Sequence, residues 1–322
     1  MGKKLKFGYD LTAINEFVNE ERFPELLTKS LFSGRTATLI PRQTGIKYKD
    51  VLNLMDTDVK VIDGSPCELT ATGSTSFSQV EIEVGKIAVF EKFCPRDLED
   101  FWTRVGLPAG SYYDSLAFES EWEAFQRGKV AEEVEKMLWQ SDKALSSGNL
   151  QWFDGLNKQI DAATGVIDGN PTSIAVGTGI TTGNVIGIFN GMVNLLPDAL
   201  AGQGDIKFFC GWDTFRKLLQ AYFTLNNFHY GDAAAGSPYQ TGEIVIPTFG
   251  LTVVALHGLT GTNRIHLMRE SNARIGTDLE GDFEQYEIFY DQTDDLVYYR
   301  LRAKLGTQVV FGNEIVTFKL EP

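Results

Sequence analysis

The stretch Asp278–Gly306 reads DLEGDFEQYEIFYDQTDDLVYYRLRAKLG. It places Asp278, Glu280, Asp282, Glu284, Glu287, Asp291, Asp294 and Asp295 ahead of Arg300, Arg302 and Lys304. Such a run is either a carboxylate site for a cation or a sugar, or the charged face of a sheet, and spacing decides between them. Residues Gln292–Asp295 supply turn chemistry between two stretches rich in aromatic and β-branched residues, which predicts a β-hairpin. Its register sets Tyr290 opposite Val297, Ile288 opposite Tyr299 and Tyr286 opposite Leu301 on one face. On the other face Glu287 meets Arg300 and Gln285 meets Arg302, so the charges pair across strands. A calcium loop fails on spacing because Gly281 directly follows Glu280, and no two carboxylates stand out as a glycosidase pair. The stretch reads as a solvated sheet face rather than a catalytic centre.

Composition narrows the classes further. A chain of 322 residues with 43% apolar and 12% aromatic content can build one large core or two modest ones. A net charge of −14 argues against a surface that holds nucleic acid by counterion release. Cys67, Cys94 and Cys210 lie far apart without a CxxC pair, which suggests neither a disulfide framework nor a zinc site and favours reduced, intracellular folding. MGKKLKFGYD at the start has basic residues but no apolar stretch behind them, no run reaches the length of a membrane span, and Lys6 breaks the myristoylation pattern.

Residues 1 to about 58 are polar and mixed, with a short helical stretch around Ile14–Leu27, and read as an extended arm. Val59–Phe93 reads as a long β-hairpin: VKVID, a Gly/Ser/Thr-rich middle, then FSQVEIEVGKIAVFEKF. Val80, Ile82 and Val84 alternate with polar residues, and the apolar phase flips after Gly85 to Ile87, Val89 and Phe93, as a bulge would make it do. SLAFESEWEAFQRGKVAEEVEKMLWQSD is the strongest helix, capped by Asp114 or Ser115, with Phe118, Trp122, Phe125, Val130, Val134, Met137 and Leu138 on one stripe. Pairs Glu123–Arg127 and Glu132–Lys136 suit its exposed side, and Gly128 predicts a bend or a close backbone contact. From about residue 172 short strands and helices form a compact α/β segment, after which long strands return, so the segment is inserted into another unit.

The sharpest enzyme signal is SIAVGTGITTGNVIGIFNGMV, where a short strand, Gly177, Gly179 and Gly183, and then a helix resemble a dinucleotide fingerprint. The spacing is GxGxxxG instead of GxGxxG, and Asp213, the candidate ribose acid, more simply caps the helix DTFRKLLQAYF. His229, His257 and His266 lie in no catalytic motif. Trp102, Trp122, Trp139, Trp152 and Trp212 sit in or beside apolar-periodic segments and predict core packing.

Polar arm, two-stranded loop, long helix, inserted α/β segment and returning strands, taken in that order, resemble the major capsid proteins of tailed bacteriophages with the Hong Kong 97-type fold. KFCPRDLEDFW before the helix, WQSD at its end, FDGLNKQI after it and NARIGTDLEGDFEQYEIFYDQTDDLVYYRLRAKLG on the return look like phage capsid sequences. The resemblance covers essentially the whole chain. It implies an α+β fold with an N-terminal arm at 1–58, an extended loop at 59–95, a peripheral domain with a spine helix at 96–175 and 268–322, and an axial domain at 176–267. It also implies a non-enzymatic virion protein that assembles with itself into hexamers and pentamers in the host bacterial cytoplasm. Portal and scaffolding proteins would be its other partners, and it would enclose DNA without sequence-specific binding, cofactor, metal or membrane. Members that cross-link use a loop lysine, and the tip TATGSTSF has none, so that chemistry is not carried over. An encapsulin-type shell and a cytosolic nucleotide-dependent enzyme built on Gly177, Gly179 and Gly183 stand as alternatives.

Overall fold

The computed structural model describes residues 34–63, 65, 72–94, 116–170, 172–225, 238–246, 248–278, 287–291, 293 and 296–320. In chain order they form α1 (Arg35–Leu39), β1 (Arg42–Gln43), β2 (Lys49–Asp58), β3 (Ser74–Glu83), β4 (Gly85–Phe93), α2 (Leu116–Gln140), α3 (Leu156–Ala162) and β5 (Ile167–Asp168). There follow α4 (Val185–Asn194), β6 (Ile206–Gly211), α5 (Trp212–Thr224), α6 (Pro238–Thr241), β7 (Glu243–Ile246) and β8 (Leu251–Leu256). The last strands are β9 (Ile265–Arg269), β10 (Ala273–Thr277), β11 (Glu287–Asp291), β12 (Leu296–Val309) and β13 (Val316–Phe318).

Helix α2 has the 25 residues that its apolar period demands. Val130, Val134, Met137, Leu138 and Trp139 are buried, and Lys136 meets Glu132 at 3.0 Å on the outer side. The side chains of Phe118, Trp122, Phe125, Glu123 and Arg127, and both candidate caps, lie outside the described residues. Among the described residues Gly128 has nothing within 4 Å of where a Cβ would stand, so of the bend or close contact expected there no contact is seen.

One sheet has the order β1–β10–β12–β11, with β4 along the other side of β12. The register of β11 on β12 is the one that alternation predicts: Glu287 pairs with Arg300, Ile288 with Tyr299 and Tyr290 with Val297. Glu287 and Arg300 form an ion pair on the outer face, while Tyr299, Leu301, Ala303 and Leu305 turn inward to the core shared with α2. Tyr286 and Gln285 lie outside the described residues.

A second sheet runs β5–β13–β9–β6–β8–β7. Its strands FFC and VVAL are apolar without alternation because both faces are covered. Phe209, Val254, Leu256 and Met268 point to the core of α2, whereas Phe208, Cys210, Val253, Ala255, Ile265 and Leu267 face the core built with α4 and α5. The layers are therefore first sheet, α2, second sheet, then α4 and α5.

Four expectations change. Residues 35–46 are not a bare arm, since Ala37 and Ile40 enter the core of α2 and β1 pairs in parallel with β10. The partner of β3 is Lys49–Asp58 and not Val59–Asp63. The reason is the buried trio Ile46, Ile82 and Val84, which fixes the root so that pairing starts at Lys49–Glu83 and runs outward. The phase flip at Gly85 marks a change of sheet rather than a bulge, with β3 on β2 and β4 on β12. Finally, β5 and β13 join the second sheet by pairing along β13–β9, so the inserted segment is completed by strands from either side of it.

Gly258 shows how tightly the layers meet. A Cβ there would collide with the Glu135 carbonyl and come within 2.5 Å of Trp139 Cδ1. Two glycine substitutions are therefore expected to have opposite signs. Gly128→Ala should raise stability by about 0.5–1 kcal/mol through helix propensity, and Gly258→Ala should lower it by about 2 kcal/mol through overpacking. Chemical denaturation midpoints of the two variants check both.

Candidate assembly surface

Strands β2 and β3 pair with each other over ten residue pairs and with no other strand among the described residues. At ~3.3 Å per residue such a ribbon is about 30 Å long. One of its faces carries Val51, Asn53, Met55 and Thr57 opposite Glu81, Gln79, Phe77 and Thr75. Met55 and Phe77 are paired directly and are 65% and 78% exposed. The other face holds Leu52, Leu54 and Val80 only half buried. A two-stranded ribbon without a third strand is marginal in water, and an exposed apolar pair such as Met55–Phe77 is what a partner would cover.

The root, in contrast, is rigidly built. Ile82 and Val84 are buried with Ile46, the Val84 amide donates to the Tyr48 carbonyl at 2.9 Å, and a Cβ on Gly306 would collide with the Glu83 carbonyl. A Cβ on Gly85 would likewise strike the Trp152 carbonyl. Lys143 reaches Glu83 at 2.7 Å and holds its carboxyl below the ordinary value, and Lys49 lies 3.6 Å from Glu83 and 3.5 Å from Glu81. These charges line a cleft of about 360 Å³ with Asp154 and Gln159. Its two lysines are paired with Glu81 and Glu83, and Asp154 accepts from the Lys143 amide, so the cleft is the seat of the ribbon.

The glycine loop is not brought into a nucleotide-binding arrangement. Residues 172–176 form no strand, so nothing aims the loop at the start of α4. Instead the loop closes on Asn184, whose Oδ1 accepts from the Thr181 amide at 2.7 Å and whose Nδ2 donates to the Gly179 carbonyl at 3.0 Å. Gly179 needs its positive φ of 63° for this turn. Gly211, not Asp213, is the N-cap of α5; Asp213 sits in the first turn with a buried Oδ1 that has no hydrogen-bond partner. Trp139 is buried, Trp212 packs beside the second core, but Trp152 is 48% exposed, contrary to its expected place in a core. Trp102, Trp122, His229 and Cys67 lie outside the described side chains, and His257 is exposed.

His266 is fully buried between Asn157 Oδ1 at 2.9 Å and Thr317 Oγ1 at 2.8 Å, and its ring stacks on Trp139 at 5.6 Å. Burial, aided by Arg264, pushes its pKa down to about 3 from 6.5. It is a satisfied core histidine that joins the second sheet to α2.

No protein-family profile and no curated protein matches the chain. Solved structures do. A chain of the satellite phage P4 procapsid including the size determination (Sid) protein aligns with a TM-score of 0.57 at 13% identity, covering 92% of this chain and 98% of that one. The capsid of the empty GTA particle gives 0.54 at 12% identity, with 92% and 90% covered. Gordonia phage Cozz gives 0.54 at 15% identity, with 89% and 86% covered. This chain has a phage capsid fold. Within that capsid fold the layered sheets and α2 are the body, and the ribbon is the part that no third strand joins among the described residues.

The buried imidazole makes stability depend on acid. The unfolded chain binds a proton at His266 below pH ~6.5 and the folded chain only near 3, so stability is full above ~6.5 and falls as pH drops through that window. At most this contributes about 1.4 kcal/mol per pH unit. His266→Gln is expected to flatten the slope of unfolding free energy between pH 6.5 and 4 relative to the parent, measured by urea titration at each pH.

Proposed function

We propose that the protein is the major capsid subunit of a tailed phage, of the Hong Kong 97 type, whose copies assemble as hexamers and pentamers into the icosahedral shell around double-stranded DNA. The observation that carries this is the ribbon that no third strand joins among the described residues, with Met55 and Phe77 exposed across from each other. A free subunit gains little from displaying them, whereas a neighbouring copy that covers them buries apolar area and secures both strands. The capsid fold shared with phage procapsid and capsid chains supports the same conclusion. The role is structural, without catalysis.

In this proposal the ribbon is the extended loop, α2 with the first sheet is the peripheral unit, and the second sheet with α4 and α5 is the axial unit at capsomer centres. The subunit resides in the virion after assembly in the host cytoplasm, with a portal and a scaffolding protein as further partners. A net charge of −14 suits a wall that DNA must pass without adhering.

Phe77→Glu combined with Met55→Lys separates assembly from folding. Both side chains are exposed, so the thermal midpoint of the unassembled subunit should move by less than about 2 °C, in line with surface substitutions. Shell yield, scored by negative-stain microscopy and sedimentation, should fall at least tenfold. Normal shells from the double variant would remove the ribbon from the interface, and a strictly monomeric parent protein would end the capsid proposal.

A further inference from the structure

Residues 34–46 touch the second sheet, α2, the first sheet and the ribbon root in sequence. At the second sheet, Arg35 Nη2 lies 2.5 Å from Glu243 Oε1 of the edge strand β7, and Nη1 donates to the Thr241 carbonyl. One residue on, Thr36 is buried against α2. Its amide donates to Glu135 Oε2 at 3.2 Å, its hydroxyl donates to Glu135 Oε1, and the same hydroxyl accepts the Trp139 indole N–H at 2.7 Å. Glu135 is only 4% exposed, and these donors are what its carboxylate has in place of water. The chain then runs beside β10, where the Ile275 amide donates to Pro41 and the Ile46 amide to Thr277. It ends with Ile46 in the ribbon root against Ile82 and Val84, three residues before β2 begins.

We infer that Gly34–Ile46 is a strap that couples the ribbon root to the edge of the second sheet through the Glu135–Thr36–Trp139 lock on α2, so that the ribbon and the second sheet cannot shift independently. The surface ion pair of Arg35 alone would hold little. The buried lock is different, because opening it leaves a carboxylate and an indole N–H without partners, and such groups resist separation. Rotation of the ribbon therefore pulls on Ile46, and the pull reaches β7 through the β1–β10 pairing, the buried Thr36 lock and the partly exposed Arg35–Glu243 pair. The coupling is a property of the free subunit and rests on the capsid proposal only for its use in assembly.

Hydrogen exchange on the full-length unassembled subunit tests it. Thr36→Val keeps the shape and removes the hydroxyl; Thr36→Ser keeps the hydroxyl. Thr36→Val should speed exchange about tenfold at Ile82–Val84 and also at Glu243–Ile246, with Phe208–Cys210 unchanged. Thr36→Ser should bring both back to within about twofold of the parent. Arg35→Ala, a partly exposed change that leaves the lock in place, should speed exchange at Glu243–Ile246 and measurably at the ribbon root as well. The coupling is overturned if either variant alters only amides next to its own position, or if Thr36→Ser behaves like Thr36→Val. Because no shell is needed, failure here leaves the assembly experiment standing, and failure of assembly leaves the coupling standing.

Discussion

One helix has to satisfy two sheets. The C-terminal half of α2 is buried on a stripe broad enough to serve both: Leu138 and Met137 lie in the core with Tyr299, Leu301 and Leu305 of the first sheet and with Phe209, Val254 and Met268 of the second. Trp139 is the pivot of this arrangement. Its ring stacks on His266 at 5.6 Å, tilts against Phe209 at 6.0 Å, and sends its N–H to Thr36. Removing a buried ring of this kind costs about 3–5 kcal/mol in general. Here it would also leave Thr36 and His266 without their neighbour, so the sheets and the strap would lose their common reference.

From that constraint the exposed features follow. The two cores of the body cover both faces of the second sheet, and the ribbon is left outside them. Among the described side chains of that excursion only Ile82 and Val84 are buried, and the pairs outward of Asp50–Ile82 depend on cross-strand pairing and on whatever covers them. Close glycine contacts at Gly85 and Gly306 pin the root while the outer strands remain bare. A rigid root with a bare extension is the form expected of a part that must reach a neighbour at a set angle.

Much of this was legible in the residues because it is local. The 3.6-residue period of α2 and the two-residue period of β11 and β12 each reside in one continuous stretch, so length and register could be read without knowing the rest of the fold. The parts that could not be read depend on contacts far apart in the chain. Lys49–Asp58 alternates weakly and became a strand through Ile46, Ile82 and Val84, which no local pattern links. Glu135 looks like one more charge in EEVEK, although its place one turn before Trp139 puts it on the buried side, a signal available in the sequence. The glycine loop misled for the opposite reason: its local pattern was suggestive, but the strand that would give it meaning does not form. Gly128 likewise predicted a bend or a close backbone contact, and the described residues around it supply no such contact.

The central claim is that the ribbon is completed by a second copy of the chain. Amide hydrogen exchange compared between free subunits and purified particles tests it most directly. The account predicts that amides of the outer ribbon, residues 51–58 and 74–81, exchange rapidly in the free subunit and become protected at least tenfold on assembly, while β6 and β8 change little. Particles in which the ribbon amides exchange as fast as in the free subunit would contradict it.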